Sequence, residues 1–284
     1  MGKIVDGKAL AQKVFKDLKQ HPFLQKAVSL KRKIVIIAVD PTPETLTFIK
    51  LKIKAGQELG LECEVRKLPP EITLENLVQA IKELAKAQGF IGIIIQLPVP
   101  AQLNACAIFN AVPFQKDIDV LSEAGYTNFI NFNSEIAPPV VGAIRLICQQ
   151  EKIELRGKLV AVLGAGKLIG IPALAWFAGQ GALVCSFNNE QRIVSSLLKQ
   201  AEVVVCGFGK PGFLKKEMVK PGVAVFDAGY SLVNGKPTGD ADFESLKSVV
   251  SLITLVPGGI GPLTVSLIFK NALELYKKYQ VNEK

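Results

Sequence analysis

Strand patterns and helix patterns alternate along nearly the whole of this 284-residue chain. Residues 34–39 and 90–95 are unbroken apolar runs of strand length, and residues 61–68 alternate between apolar and polar side chains. Apolar residues at helical spacing follow in residues 74–85. A chain that repeats strand and helix in this way places its helices against a mostly parallel sheet. The sequence therefore predicts an α/β fold.

The alternation weakens between residues 116 and 139, where polar and turn residues dominate, and a second series begins near residue 158. We place a domain boundary in this weak zone. The strands predicted after it are 159–163, 183–187, 203–206, 223–227 and 249–254. A last helix is predicted at about 265–279 and is assigned to the first domain.

Composition and charge narrow the class of protein. The formal net charge is +9, but the lysines are spread over many amphipathic segments and aromatic residues make up only 7%. We therefore expect no nucleic-acid partner and consider an anionic substrate or cofactor instead. Charged residues, Gly or Pro interrupt every apolar run before it reaches membrane-spanning length, so we expect no membrane association. The first residues lack a secretory signal, which favours the cytoplasm.

The cysteine and histidine content restricts the kinds of catalysis and metal binding open to this chain. The five cysteines are scattered through apolar segments without a C-x-x-C pair, so we read them as buried thiols in a reducing compartment. The single histidine, His21, has no nucleophile motif near it. We expect no metal site and no histidine-dependent triad. Catalysis by such a chain would depend on lysine, carboxylate, amide or a cofactor.

Residues 48–54 alternate like a strand, yet the segment around them is predicted to be helical. Pro43 and Glu44 resemble a helix start, and Gly60 ends a stretch of helix length. On a helix, Phe48 and Lys52 would share one face because they are four residues apart.

A strand, a glycine turn and a helix follow one another from residue 159. The apolar run 159–163 leads directly into Gly164-Ala165-Gly166-Lys167 and then to Gly170. This order is typical of loops that hold a pyrophosphate with main-chain N–H groups and a helix N-terminus. Nucleotide choice stays open, because Glu190 would favour NAD whereas Arg192 or Lys167 would favour NADP.

The segment from Pro257 to Thr264 contains three glycines and two prolines between two apolar runs. Proline fixes φ, and glycine permits close backbone approach. Such a rigid turn suits a flat ligand lying against the main chain, although an ordinary strand-to-helix loop is the alternative.

Several segments taken together, in order, resemble the bifunctional methylenetetrahydrofolate dehydrogenase/cyclohydrolase family. Residues 92–100 are similar to that family's G-I-L-V-Q-L-P-L-P, and residues 116–119 resemble its K-D-V-D. Residues 257–264 resemble its P-G-G-V-G-P-M-T, with conservative changes only. Residues 3–8 and 209–212 are similar to its opening and cofactor-domain segments.

The resemblance implies a fold and a reaction. We expect a three-layer α/β folate domain at 1–120 plus 265–284 and a Rossmann-like dinucleotide-binding domain at 138–264. We expect hydride transfer from 5,10-methylenetetrahydrofolate to NADP or NAD, with NADP slightly favoured by the family. Hydrolysis of the methenyl product to 10-formyltetrahydrofolate would follow. The family also implies a homodimer.

The same resemblance assigns residues. Lys52 matches the catalytic lysine, Gln96 the glutamine that hydrogen-bonds it, and Asp119 the aspartate that holds the pterin ring. Phe48 stands where the family has a tyrosine. The expected substrate contacts are Leu97, Pro98, Pro257, Gly258, Gly259 and Pro262. The expected cofactor contacts are Gly164, Ala165, Gly166, Lys167, Gly170, Asn189 and Tyr230.

The chain also departs from the family at several positions. Phe48 lacks the phenol hydroxyl, and Val120 replaces the glycine that follows K-D-V-D. Gly164-Ala165-Gly166 lacks the arginine and serine of a common G-R-S loop, Asn188 replaces a frequent histidine, and residues 137–142 lose a threonine hydroxyl. Two alternatives therefore stay open: a diverged folate- or nucleotide-binding protein with little turnover, and another nicotinamide-dependent dehydrogenase on the same fold.

Overall fold

The computed structural model describes residues 2–188 and 195–280. Its contacts divide the chain into two compact units. The first, here called the six-stranded unit, comprises Met1–Ala11 and Val140–Thr264. The second, the three-stranded unit, comprises Gln12–Pro139 and Val265–Lys284.

The strands are β1 (Lys3–Val5), β2 (Lys33–Val39), β3 (Glu62–Leu68), β4 (Phe90–Ile95), β5 (Leu159–Leu163), β6 (Leu183–Phe187), β7 (Val203–Cys206), β8 (Ala224–Asp227), β9 (Ser231–Val233), β10 (Lys236–Thr238) and β11 (Leu252–Thr254). The helices are α1 (Gly7–Lys19), α2 (Pro22–Ser29), α3 (Pro43–Leu59), α4 (Leu74–Lys86), α5 (Ala105–Asn110), α6 (Glu123–Ile130), α7 (Pro139–Gln150), α8 (Gly170–Gly179), α9 (Ser195–Leu198), α10 (Phe243–Leu246) and α11 (Ile260–Gln280).

The three-stranded unit is built on a parallel sheet in the order β3-β2-β4. One face of β2, with Val35 and Ile37, packs in a cluster with Leu77 and Ile81 of α4. On the other face a Cβ at Gly56 of α3 would meet the Cys63 Sγ atom at 2.6 Å and a Phe269 ring carbon of α11 at 3.5 Å. Helices thus cover both faces, as the unbroken apolar run in β2 requires.

The six-stranded unit contains a parallel sheet in the order β1-β11-β8-β7-β5-β6. From β5 the chain goes first to β6 on one side and then to β7 on the other, so the strand order reverses between β5 and β7. In open parallel sheets this reversal leaves a crevice at the carboxyl ends of the two strands, where ligands bind. The predicted two-domain α/β fold with mostly parallel sheets is confirmed.

Helix α3 has the predicted type and extent. The Thr42 hydroxyl accepts a hydrogen bond from the Thr45 N–H at its start, and Gly60 ends it with φ at 72°. On this helix Ile49 is buried and Lys52 is half-buried, whereas Lys50, Leu51 and Lys54 are exposed. The alternation of residues 48–54 therefore does not mark a strand.

Other predicted bounds were wrong. Only Leu252–Thr254 of the predicted strand 249–254 is a strand, because a turn after α10 occupies the residues before it. Helix α11 begins at Ile260 rather than at 265, since Pro262 lies in its first turn, where proline is tolerated. The weak zone 116–139 contains α6, and Cys106 is exposed although buried thiols were expected.

The proposed domain bounds stay a prediction, with one observation that bears on them. Residues 3–5 form β1, which pairs with β11, so the first eleven residues group with the six-stranded unit rather than with residues 12–120. In residues 2–188 and 195–280, no helix has both the length and the hydropathy needed to cross a membrane.

Candidate functional site

Helix α3 and strand β4 bring Lys52 and Gln96 into direct contact. The Lys52 Nζ atom donates a hydrogen bond to Gln96 Oε1 at 2.6 Å. Gln96 is 7% exposed, and its Nε2 atom donates to the Leu97 carbonyl oxygen at 3.0 Å. That second bond fixes the amide with its oxygen towards the lysine, because Nε2 is a donor only. Two of the predicted catalytic residues therefore form one partly buried donor–acceptor pair.

The surroundings of Lys52 make the neutral form of its amine more favourable than it is in water. Burial lowers the pKa of Lys52, and the carboxylate of Asp119 and the thiol of Cys63 oppose that effect. Burial also raises the pKa of Asp119 to about 6, with Lys52 lowering it and Asp117 raising it further. Asp119 and Lys52 thus influence each other's protonation. An amine whose pKa is lowered in this way gives up its proton more readily than an exposed lysine does, as general acid–base chemistry requires.

The segment from Lys116 to Asp119 runs beside β4, where the Ile93 N–H donates to the Lys116 carbonyl oxygen at 2.9 Å. Lys116 Nζ donates to the carbonyl oxygens of Ala85 and Ala87 at the end of α4. Asp117 is buried and accepts hydrogen bonds from Leu121 N and from both the N–H and the hydroxyl of Ser122. Lys116 and Asp117 therefore bind the protein itself, and Asp119 is the charged residue of this segment that interacts electrostatically with Lys52.

Phe48 lies one helical turn before Lys52 on α3 and is half-buried. Leu97 is also half-buried and packs against the core of the three-stranded unit, whereas Pro98 is exposed. The Leu97–Pro98 peptide bond is cis. The structure therefore groups Phe48, Leu97 and Pro98 with the Lys52–Gln96 pair along α3 and at the end of β4.

The remaining predicted substrate contacts lie after β11 and at the start of α11. Pro257 follows a cis peptide bond, and Gly258 has φ at 116°. The Gly259 N–H donates to the Leu255 carbonyl oxygen at 2.8 Å. The expected side-chain-poor turn is therefore present, and Pro262 lies in the first turn of the helix that follows.

The loop between β5 and α8 has the close packing that a dinucleotide loop needs. Gly164 has φ at 96°, and a Cβ there would lie 2.4 Å from the Gly207 carbonyl oxygen. A Cβ at Gly170 would lie 1.8 Å from the Gly164 carbonyl oxygen. Only glycine satisfies these approaches. The loops after β5 and β7 thus meet at the carboxyl ends of their strands, where the strand order reverses, and they suit a nicotinamide dinucleotide.

The predicted residues in and around this loop differ in exposure. Gly166 and Lys167 are exposed, Ala165 is half-buried, and Tyr230, after β8, is 39% exposed. The Ala165 N–H donates to Asn188 Oδ1 at 3.0 Å, which ties the loop to the end of β6. Asn189, Glu190 and Arg192 lie outside the described residues.

Sequence reasoning assigned no place in the site to two buried carboxyl groups that shape the same edge of the sheet. Asp240 Oδ2 accepts hydrogen bonds from the Phe208 and Gly209 N–H groups, in the loop after β7. Asp227 Oδ1 accepts from the N–H groups of Gly229 and Asp240. Burial raises the pKa of Asp227 to about 7, and Asp240 adds to that effect. A Gly-Asp pair after a strand is too common a turn pattern to have revealed this pairing.

A third missed residue is Asn271 on α11. Its Nδ2 atom donates to the carbonyl oxygens of Ile118 and Ala137. It lies in an apolar helical stretch, and its only sequence signal is that it interrupts an otherwise core-facing pattern. Across residues 2–188 and 195–280, no group of three or more His, Cys, Asp or Glu side chains is arranged to hold a metal ion.

A dinucleotide-type sheet with a glycine turn, together with a hydrogen-bonded lysine–glutamine pair on a second α/β unit, defines an NAD(P)-dependent class of two-domain protein. Two family models match this chain. The catalytic-domain model of tetrahydrofolate dehydrogenase/cyclohydrolase matches residues 5–119, and the NAD(P)-binding-domain model matches residues 138–280. The chain belongs to the tetrahydrofolate dehydrogenase/cyclohydrolase family.

Individual relatives agree along the full length. The bifunctional protein FolD of Nautilia profundicola is 32% identical over 277 residues, which cover 97% of this chain and 98% of that protein. The crystal structure of the bifunctional FolD enzyme of Campylobacter jejuni has a TM-score of 0.92 at 29% identity and covers 98% of this chain and 99% of that one. The Trypanosoma brucei methylenetetrahydrofolate dehydrogenase-cyclohydrolase, complexed with NADP and an inhibitor, has a TM-score of 0.91 at 28% identity, with 98% of each chain covered.

Proposed function

We propose that this protein oxidises 5,10-methylenetetrahydrofolate to the 5,10-methenyl form with a nicotinamide dinucleotide and hydrolyses that product to 10-formyltetrahydrofolate. The observation that carries the proposal is the contact between Lys52 and Gln96, with Asp119 coupled electrostatically to the same amine. The family to which the chain belongs is named for these two activities.

Each of the three residues has a defined task in the proposed reaction. Gln96 accepts a hydrogen bond from the Lys52 amine and so sets its direction, because its own Nε2 is held by the Leu97 carbonyl oxygen. Lys52, whose pKa is lowered by burial, can take a proton from attacking water and return one to the opened ring. Asp119 provides the carboxylate that pairs with the N–H groups of the pterin.

The loop after β5 and the crevice beside β7 would hold the dinucleotide, with the N–H groups at the start of α8 directed to its phosphates. When bound, the nicotinamide ring accepts the hydride. We propose NADP or NAD, with NADP slightly favoured because a relative of known structure is complexed with NADP. The loop itself offers the exposed Lys167 for a 2′-phosphate but no arginine or serine in the sequence Gly164-Ala165-Gly166.

We further propose that the protein acts as a homodimer in the cytoplasm. The support for both statements is the family resemblance. Sedimentation at several concentrations would test the dimer, because a dissociating dimer changes its sedimentation coefficient with concentration.

One assay distinguishes the proposed function from its alternatives. Purified protein is mixed with methylenetetrahydrofolate and either NAD or NADP, and nicotinamide reduction is followed by absorbance. Reduction that depends on the folate supports the dehydrogenase, and decay of added methenyltetrahydrofolate supports the cyclohydrolase. Tight folate binding without reduction would favour a binding protein. Reduction with a small acid or alcohol but not with folate would favour another dehydrogenase.

A further inference from the structure

We infer that Asn271 is a positioning residue of the folate site, acting through the backbone beside Asp119. Its Nδ2 atom donates one hydrogen bond to the Ile118 carbonyl oxygen and one to the Ala137 carbonyl oxygen, each at 2.9 Å. Asn271 is 5% exposed, so neither bond is shared with bulk water. Both hydrogens of the amide are thereby used, which is the full donor capacity of the group.

The held carbonyl belongs to the peptide bond that leads directly into Asp119. The Ile118 side chain is fully buried against β4, where a Cβ at Gly92 would lie 2.8 Å from Ile118 Cδ1. Asp117, on the other side of Ile118, is fixed by three hydrogen bonds from Leu121 and Ser122. The Ile118 side chain, the Ile118 carbonyl group and the preceding residue Asp117 are therefore all held in place. The Asn271 amide holds the carbonyl group, which is the part nearest to Asp119.

The chemistry of the contact requires two donors in one planar group. Aspartate at position 271 would direct a carboxylate oxygen at two carbonyl oxygens, and serine would provide a single donor. A freed Ile118 peptide could rotate and carry the Asp119 carboxylate away from Lys52. The direction of Asp119 matters for pterin binding and for the pKa of Lys52, so the inference rests on the proposed function.

The test compares Asn271→Asp with the matched control Tyr276→Phe. The Tyr276 hydroxyl lies on the same helix, is buried, and has no hydrogen-bond partner within the part of the chain that the structure describes. For Asn271→Asp we expect the KM for methylenetetrahydrofolate to rise about tenfold while the KM for the dinucleotide stays nearly constant. The pH at which kcat for methenyl hydrolysis rises should also shift. Tyr276→Phe should leave all three quantities close to those of the parent.

An unchanged folate KM would overturn the inference. An equal rise of both KM values would also overturn it, because equal rises indicate a structural effect on the whole protein rather than on the folate site. If Asn271→Asp does not fold, Asn271→Ser, which keeps one donor, replaces it with a smaller expected rise. Calorimetric binding of tetrahydrofolate separates this inference from the proposed function. A parent protein that binds tetrahydrofolate without turnover contradicts the function, whereas weaker binding by the Asn271 variant still supports the inference. A parent that binds no tetrahydrofolate overturns both.

Discussion

Lys52 and Gln96 lie 44 positions apart in the chain, yet their side chains form a hydrogen bond of 2.6 Å. Neither element alone could present this pair: α3 directs the amine, and the end of β4 directs the amide. The lysine is half-buried and donates to the Gln96 oxygen, so its protonation depends on burial and on its few charged neighbours.

The pH dependence of hydrolysis should respond to Asp119. The Asp119 carboxylate raises the pKa of Lys52 and so acts against burial. Asp119→Asn removes that charge, and the pKa of Lys52 should then fall further below its usual value. The rise of kcat with pH at saturating substrate should therefore move to lower pH, and a ¹³C NMR titration of the labelled lysine Cε should move in the same direction. The absence of a shift would show that the two groups are not coupled. A shift to higher pH would contradict the predicted direction of the coupling.

Restoring a phenol at position 48 should favour hydrolysis over oxidation. Phe48 and Lys52 are four residues apart on α3, so a hydroxyl on that ring would lie on the face that carries the amine. We expect Phe48→Tyr to raise the rate of methenyl hydrolysis more than the rate of methylene oxidation, with both measured on one preparation. Equal changes in the two rates would mean that the hydroxyl has no part in moving a proton.

At position 120 the glycine variant should be more stable than the alanine variant, which is the reverse of the usual order. It has φ at 57°, a region that β-branched residues rarely adopt, and it is 2% exposed. Alanine would lose the two buried methyl groups and keep the strain, whereas glycine would also lose the Cβ atom but relieve roughly 1 to 2 kcal/mol of strain.

Thermal unfolding should therefore find Val120→Ala less stable than Val120→Gly. Val35 in β2 provides the control, because it is fully buried in an extended strand. There the glycine variant should be the less stable of the two. The same order at both positions would contradict a strained Val120.

The stability of the six-stranded unit should decline with rising pH because of Asp227. Its pKa is about 7 in the fold, against about 4 when unfolded, so the folded chain keeps a proton that the unfolded chain has released. This contribution is complete below the unfolded pKa and is lost as pH rises through about 7. We expect the free energy of unfolding to fall by about 2 kcal/mol from about pH 5 to about pH 8.

Asp227→Asn should flatten this slope, although Asp240 in the same unit, whose pKa is also raised by burial, leaves a residual slope of the same sign. Asp17→Asn, at an exposed position on α1, is the matched control for the substitution itself. A stability that rises over this pH range in the parent protein would contradict the raised pKa of Asp227.

Local patterns predicted much of the fold. The apolar runs of β2, β4 and β5 identified buried strands, and Pro43 with Gly60 marked the ends of α3 despite the misleading alternation between them. Short elements such as β1 carry too few residues for a periodic signal and depend on pairing with a distant strand, here β11.

Site residues could be predicted from the sequence only where they belong to a recognisable motif. Lys52, Gln96 and Asp119 were reached through the family resemblance, and the structure places the first two in contact. Asn271 was missed because its partner Ile118 is 153 positions away, and no local pattern reports such a contact. Asp240 was missed for the same reason, since its partners in the loop after β7 are more than thirty positions away.

The most direct measurement is the rate of methenyltetrahydrofolate hydrolysis by Lys52→Met, compared with Lys50→Met and Lys54→Met on the same helix. Lys50 and Lys54 are exposed, so their variants match the substitution without touching Gln96. We predict a loss of roughly a hundredfold or more for Lys52→Met and little change for the two controls. A Lys52→Met protein that hydrolyses the methenyl substrate at the parental rate would contradict the account.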